Sequence, residues 1–396
     1  MDSYDTIVVG LGCAGVTAAS TLAKAGKQVL AFESEASIGG RVKTIVNSNG
    51  GVVERGAEWI HGKNNCVYSI AKQHNILVLP QDVARQVFWS DGSVADENSV
   101  KIPPFFGIPE IGKTDDVQCD QYSWHRYGYK TFLEIMLNTY NNGPGLPNLD
   151  IKLWTSVLQI NWLKDNVEVV CTDRKTYTAS NVIVTVPLGV LKKIHPTLFN
   201  PPLPDKKIKS IENISVGVIN KMCLKFNEPW WPKRPSFFYF LWKPEDKAKI
   251  TKQDSWMTEI FGASSSMGCR NSLTLWVRDG AAETIEKIPE NKLRNTCMML
   301  LKQFMGKTCT ISAQLPWILM NTTWHSQMHG SYSYEYHKHS TARLDLAEPL
   351  VDSSGNLRVL FAGEATHSTQ FSSTHGASES GFREAKRLVP GLKDEM

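Results

Sequence analysis

The chain has 396 residues, 42% hydrophobic and 21% charged, with a formal net charge of +4. That composition belongs to a globular protein with chain enough for two or more domains and a sizeable core. It shows no basic run of the kind that binds nucleic acid, and no apolar run near the ~20 residues of a membrane-spanning helix, so neither partner is expected.

The first element is an apolar strand, Thr6-Ile7-Val8-Val9, running into Gly10-Leu11-Gly12-Cys13-Ala14-Gly15. A small-residue helix over 16–25 follows, then Gly26, then a second apolar strand, Gln28-Val29-Leu30-Ala31-Phe32, ending at Glu33. This strand–turn–helix–strand order is the context a dinucleotide fingerprint requires. Gly10 serves the tight turn, Gly12 the approach of backbone N–H groups to a pyrophosphate, and Gly15 close helix–strand packing. The helix N-terminus favours phosphate charge, and a carboxylate at Glu33 stands where ribose hydroxyls are accepted. The motif leaves NAD and FAD both open.

Ser37-Ile38-Gly39-Gly40-Arg41 adds a second glycine pair and a guanidinium placed for phosphate oxygens. An extended FAD needs such an element and a nicotinamide site does not. Next, Gly56-Ala57-Glu58-Trp59-Ile60-His61-Gly62 sets an acid, an indole and an imidazole between glycines. His61 can act as a base or cation partner, Trp59 as a stacking wall and Glu58 as an anchor for an amine.

Helical spacing is predicted over 63–75 and again over 128–139, with an irregular stretch between about 80 and 120 and a loop at 141–145. Strands are predicted at 151–153, 157–163 and 167–170. The run 181–186, apolar on both faces, suits a central parallel strand. A proline-rich loop is expected at 196–204. The segment 216–226 reads as one strand carrying Lys221 among apolar neighbours, where a lysine is costly unless it has a partner or a task. Strands at 256–261 and 273–277 and a helix at 291–304 complete a second domain. Near the end, Gly330-Ser331-Tyr332-Ser333-Tyr334 groups aromatics, 358–367 is a strand ending in Gly363-Glu364, and Ser372-Ser373-Thr374-His375-Gly376 leads into a helix over 377–388. A helix N-terminus after small polar residues suits the electron-rich edge of a flavin ring.

Taken together, these blocks resemble the flavin-dependent amine oxidases, and within them the animal polyamine oxidases. The blocks are 10–15, Glu33, 39–41, 56–62, 182–191, Asn220-Lys221 with Trp230-Trp231, 330–334 and 363–376, in the family's order. The resemblance implies an α/β fold: a discontinuous Rossmann-like FAD-binding domain (1–78, 149–203, 339–396) with an inserted substrate domain of mixed sheet and helices (79–148, 204–338). It implies that Glu33 holds the adenosine ribose, Arg41 the pyrophosphate, Val157 the adenine edge and Glu364 the ribityl hydroxyls. Gly10, Gly12, Ala14, Gly15, Gly40, Glu58, Trp59, Ser373 and Thr374 complete the expected cofactor contacts. Lys221 matches the lysine that holds a water beside the flavin, and His61 the histidine that contacts polyamines; both are the expected catalytic residues. Glu58, Trp59, Tyr332, Ser372 and Ser373 are expected to line the substrate path.

The family members that attach FAD covalently use a cysteine at the position of Ser331, so FAD is expected to be non-covalent here. The implied reaction is hydride loss from a polyamine α-carbon, imine hydrolysis to an aldehyde and a shorter amine, and reoxidation by O2 to hydrogen peroxide. The substrates implied are spermine, spermidine or their N1-acetyl forms. Between Gly62 and Gly128 the chain is tens of residues shorter than the family pattern, and the arginine expected at Ser37 is absent. Two other readings therefore stand beside polyamine oxidation: another amine oxidase of the superfamily, or an FAD-binding protein with little turnover.

The eight cysteines are scattered without metal-ligand spacing, so they read as reduced thiols and no metal is expected. The fingerprint begins almost at Met1, and the terminal Lys393-Asp394-Glu395-Met396 matches no peroxisomal or ER-retention signal. A cytoplasmic monomer is the expectation.

Overall fold

The computed structural model describes residues 4–47, 50–76, 79–80, 84–96, 121–163, 165–233, 236–311, 314–335 and 340–393. Two large sheets organise them. The first has nine strands in the order Leu149–Lys152, Val29–Phe32, Tyr4–Val9, Thr176–Val184, Val167–Cys171, Val157–Asn161 and Phe199–Asn200, with Leu357–Phe361 joined to Thr176–Val184 and Leu350–Val351 at its side. Tyr4–Val9, Val29–Phe32, Thr176–Val184 and Leu357–Phe361 run parallel, whereas Val157–Asn161 and Val167–Cys171 are antiparallel additions.

The parallel centre explains the apolar run at 181–186. Val8, Ile183 and Leu360 pack into the cluster that holds the first helix, Cys13–Lys24, while Ile7, Val9, Val182, Val184, Val359 and Phe361 pack into a second cluster on the other face. Both faces are covered, so successive side chains are all apolar. The last helix, Thr374–Leu388, lies against the first, with Thr17 Oγ1 and Ser378 Oγ 2.8 Å apart in the buried contact. The two ends of the chain thus close one layer.

The second sheet has the order Trp317–Asn321, Ile219–Lys225, Ser272–Arg278, Ile260–Ser265, Ser236–Leu241, Ala84–Trp89 and Val94–Ala95. It is backed by the amphipathic helix Glu290–Met305, whose Leu293, Cys297, Leu300, Leu301 and Phe304 are buried against it. Two short sheets, Ser215–Gly217 with Tyr332–Tyr334 and Trp59–His61 with Gln121–Ser123 and Leu79–Pro80, link the layers.

Several local expectations are corrected. The stretch read as irregular contains Ala84–Trp89 and Val94–Ala95, strands of the second sheet; residues 97–120 lie outside the described residues. Residues 121–148 put Tyr122, Trp124, Tyr129 and Phe132 into the cluster around the first helix. Of the loop expected at 196–204, residues 196–198 are the end of a helix, Leu188–Leu198, which tolerates Pro196 near its C-terminus, and Phe199–Asn200 is a short strand; 201–204 is loop. The strand at 216–226 breaks into Ser215–Gly217 and Ile219–Lys225, because the two halves pair with different partners. Residues 252–259 form a 3-10 helix ahead of the strand Ile260–Ser265, and the last helix begins at Thr374 rather than 377. Among the described residues, no helix is long and apolar enough to cross a membrane.

Candidate active site

A cavity of ≈ 520 Å³ runs between the C-terminal edge of the first sheet and the second sheet. At its first-sheet end the wall is mostly backbone. Gly10 turns at φ +94°, and a Cβ on Gly15 would stand 1.9 Å from Gly10 O, so the helix can begin this close to the strand only with glycine there. Gly15 therefore stays behind the wall, whereas Gly10, Gly12, Ala14, Gly40 and Arg41 line it. A Cβ on Gly12 would meet no atom nearer than Gly39 O at 3.9 Å. The approach to the N-terminus of the first helix is thus left open to a ligand, as a dinucleotide needs.

Glu33, at the end of Val29–Phe32, is buried; its Oε2 accepts from Leu11 N at 2.9 Å and its Oε1 from Glu35 N at 3.1 Å. Ser34 Oγ also donates to Oε1, at 3.3 Å, which leaves one lone pair, on Oε2, for a ligand. Val157 lines the same end, where the strand pairing shifts register between Val157 and Gln159.

Midway along the cavity, Arg41 Nη1 donates to Glu364 Oε1 and to Ser331 O, both at 3.0 Å. Glu364 Oε2 accepts from Ser333 Oγ at 2.6 Å and from the N–H of Ser372, which sits at a left-handed φ of 60°, at 2.9 Å. Burial pushes the Glu364 carboxyl up, but Arg41, Ser333, the Ser372 N–H and Arg343 outweigh it and hold it below the ordinary carboxylate range. Ser373 caps the last helix by accepting from Gly376 N at 3.0 Å, and the Thr374 hydroxyl pairs with that of buried Tyr129. Ser372, Ser373 and Thr374 all line the cavity. Ser331 Oγ is occupied with both the N–H and the C=O of Ile219, each at 2.9 Å.

The second-sheet end is built from side chains. Lys221 lies on Ile219–Lys225, a strand paired on both sides, so it is buried at 3% exposure rather than standing on a wet edge. Its partners account for that position. Nζ donates to Glu54 O at 3.2 Å, Gly56 O at 2.8 Å and Glu58 Oε2 at 2.9 Å, and lies 4.4 Å above the Trp276 ring. Three acceptors use all three ammonium protons. Gly56 brings the two carbonyls within reach, since a Cβ there would stand 1.8 Å from Arg41 O.

Trp59 stacks on Trp276 at 5.4 Å and 18°, and Tyr332 packs in the same aromatic cluster. Glu58, Trp59, His61 and Tyr332 all line the cavity. Burial pushes His61 below the ordinary imidazole value, so at neutral pH the ring is uncharged and able to take a proton. Behind Lys221, burial pushes the Glu54 carboxyl up to about 7 against hydrogen bonds from Tyr129 N–H and Thr44.

Every residue expected at a site, Gly15 excepted, thus lines one cavity. Reading the sequence missed Trp276, Arg55, Thr185 and Trp324, which line it too. Trp276 carries no local motif; only the strand register sets it opposite Lys221. Arg55 carried a visible signal, a charge between Glu54 and a glycine in an otherwise apolar run.

The sequence profile of the family described as flavin containing amine oxidoreductase matches residues 13–108 and 121–389. Peroxisomal N(1)-acetyl-spermine/spermidine oxidase from Homo sapiens is 28% identical over 487 aligned positions, covering 97% of this chain and 94% of that protein. An alignment longer than the chain's 396 residues means that the relative has stretches this chain lacks. Polyamine oxidase 2 from Arabidopsis thaliana is 27% identical over 97% of this chain and 88% of its own length. A solved structure of a redesigned putrescine oxidase superposes with a TM-score of 0.72 at 15% identity, covering 98% of this chain and 99% of that one, which shows a common fold. With the glycine turn at Gly10, the open wall at Gly12 and the buried lysine on a single cavity, the chain belongs to the flavin containing amine oxidoreductase family and is an FAD-dependent amine oxidase.

Proposed function

We propose that the protein oxidises polyamines, taking spermine, spermidine or their N1-acetyl forms. The observation that carries this reading is the chemistry of the second-sheet wall. A carboxylate and an uncharged imidazole, Glu58 and His61, stand among the faces of Trp59, Trp276 and Tyr332. Such a wall suits an extended chain with spaced cationic nitrogens: the carboxylate accepts from an ammonium, and ring faces attract cations while shedding water. The names of the relatives that span nearly the whole chain point the same way.

Bound flavin supplies the hydride acceptor, and its reaction with O2 supplies hydrogen peroxide. Glu33, Arg41, Glu364, the turn at Gly10 and Gly12, Val157 and the N-terminus of the last helix hold the cofactor. With a serine at 331, the cofactor is held without a covalent bond. His61 takes the proton of the ammonium that is to be oxidised, leaving the free amine. Glu58 orients that nitrogen through its second oxygen, and the aromatic faces exclude water around it. Lys221 anchors Glu58 and the Gly56 carbonyl. It can hold a water only by releasing one acceptor, and Glu54 O, at 3.2 Å, is the longest contact and the cheapest to exchange. A reducing compartment belongs to the same reading; its support is that all seven described cysteines are free thiols, six of them buried.

The test is a peroxide-release assay of the purified yellow protein with spermine, spermidine, their N1-acetyl forms, a monoamine and an amino acid. Turnover is expected with at least one polyamine and not with the monoamine or amino acid. Peroxide from the latter alone, or silence on every amine with flavin bound, overturns the reading.

A further inference from the structure

Three cations line the cavity, Arg41, Arg55 and Lys221, together with the carboxylates of Glu33, Glu35, Glu58 and Glu364. Two of the cations are already committed: Arg41 pairs with Glu364 at 3.0 Å and Lys221 with Glu58 at 2.9 Å. Arg55 forms no ion pair within 4.0 Å among the described residues. Its Nη2 donates to Thr323 Oγ1 at 2.9 Å, its guanidinium lies over Trp324 at 5.4 Å, and its Nε is buried without a hydrogen-bond partner.

The backbone places this side chain beside the phosphate turn. Arg55 N donates to Lys43 O at 2.8 Å and Ala57 N to Arg41 O at 3.1 Å, so residues 55–57 run against 41–43. The Gly39-Gly40 turn that precedes Arg41 is itself bridged to Gly12, with Gly39 N on Leu11 O at 2.7 Å. On the other side, Glu35 and Glu286 are both close enough to interact with Arg55 electrostatically, though neither forms an ion pair with it within 4.0 Å.

Net charge decides what Arg55 is for. Once the two internal pairs cancel, Glu33, Glu35 and Arg55 remain on the wall. A pyrophosphate brings two more negative charges, and a helix N-terminus offers only about half a positive one. Without Arg55 the dianion would face two uncompensated carboxylates; Arg55 offsets one of them and is the one cation on the wall not already paired among the described residues. An ammonium group of the substrate, by contrast, would be repelled by Arg55.

We propose that Arg55 is a phosphate-binding residue, whose guanidinium contacts the pyrophosphate of bound FAD alongside the N-terminus of the first helix. Stacking on Trp324 and the bond to Thr323 hold its planar fork in place before the ligand arrives.

The experiment measures FAD dissociation from the full chain by the rise in flavin fluorescence, at several salt concentrations, with ADP as a competitor. Losing a charge-assisted contact should weaken FAD by about 10- to 100-fold in Arg55→Gln, and flatten the dependence of affinity on salt. ADP, which carries the pyrophosphate without the flavin, should lose affinity by the same factor. Arg55→Lys keeps the charge and should fall between the two. Because Arg55→Gln could also disturb packing on Trp324, melting of the flavin-free chain is followed in parallel, and Arg55→Lys decides if it shifts. Unchanged FAD affinity in Arg55→Gln, a lysine variant as impaired as the glutamine one, or a loss of FAD with ADP unaffected would each overturn the proposal.

Discussion

The two ends of the cavity are built from different materials. At the first-sheet end the wall is backbone: a glycine turn, a helix N-terminus and a carboxylate steadied by two main-chain N–H groups. At the second-sheet end it is side chains, with Lys221, Glu58, Trp59, Trp276 and Tyr332 arriving from four separate segments. A backbone site tolerates much exchange of side chains but no added Cβ at its tightest point. A side-chain site tolerates backbone variation but not the loss of one charge from a buried pair. Each half should therefore fail in its own way.

The largest effect is expected at the second-sheet end. Lys221→Met leaves the Glu58 side chain, only 10% exposed, without its counter-ion, and breaking such a largely buried pair costs about 3–5 kcal/mol. Chemical denaturation should read this loss, with turnover falling further than FAD affinity. Adding Glu58→Gln should restore part of the stability, and a double-mutant cycle with purely additive losses would deny the pairing.

Next in size is an acid sensitivity at the first-sheet end. Burial holds His375, on the last helix, down at about 4 against an ordinary 6.5, with its Nε2 on Gln370 Oε1 at 3.0 Å. In that window the unfolded chain binds a proton that the folded one does not. Stability is therefore full above the ordinary value and declines as the pH falls from 6.5 to about 4, by about 3 kcal/mol in total. His375→Gln, which can still bond Gln370, should flatten this part of the stability–pH curve; a slope equal to the parent's would assign the acid loss to other groups.

Gly15→Ala should cost about 1–3 kcal/mol through its clash with Gly10 O, and the purified protein should come out pale, with lower flavin absorbance per chain. Retention of full flavin content would mean that the turn relaxes. The smallest effect belongs to Ser331→Ala, which removes the hydroxyl bridging both main-chain groups of Ile219. It should cost about 1 kcal/mol. Both this variant and the parent should release free flavin on denaturation; flavin that stays with the unfolded chain would contradict non-covalent binding.

Much of the first-sheet end could be read locally, because a fingerprint of strand, glycine turn, helix and acid spans consecutive residues and rests on backbone geometry. Gly12 and Glu33 were legible as parts of that fingerprint, and the central strand over 181–186 through its own apolar run. The second-sheet end was legible only as suspicion. A lysine at 221 among apolar neighbours could have stood in water on an edge strand, until its pairing on both sides removed that option.

By itself, then, the sequence determined which segments alternate as strand and helix around the glycine turn, and it marked Lys221, Glu58 and His61 as polar side chains in want of partners. Tertiary structure alone decided who those partners are. Trp276 meets Lys221 through strand register, Glu58 meets it across more than 160 residues of chain, and Arg55 meets Thr323 and Trp324 across more than 260. Short-range periodicity records how a segment hides its own apolar face. Which charge neutralises which depends on long-range packing, and no single stretch of chain contains that information.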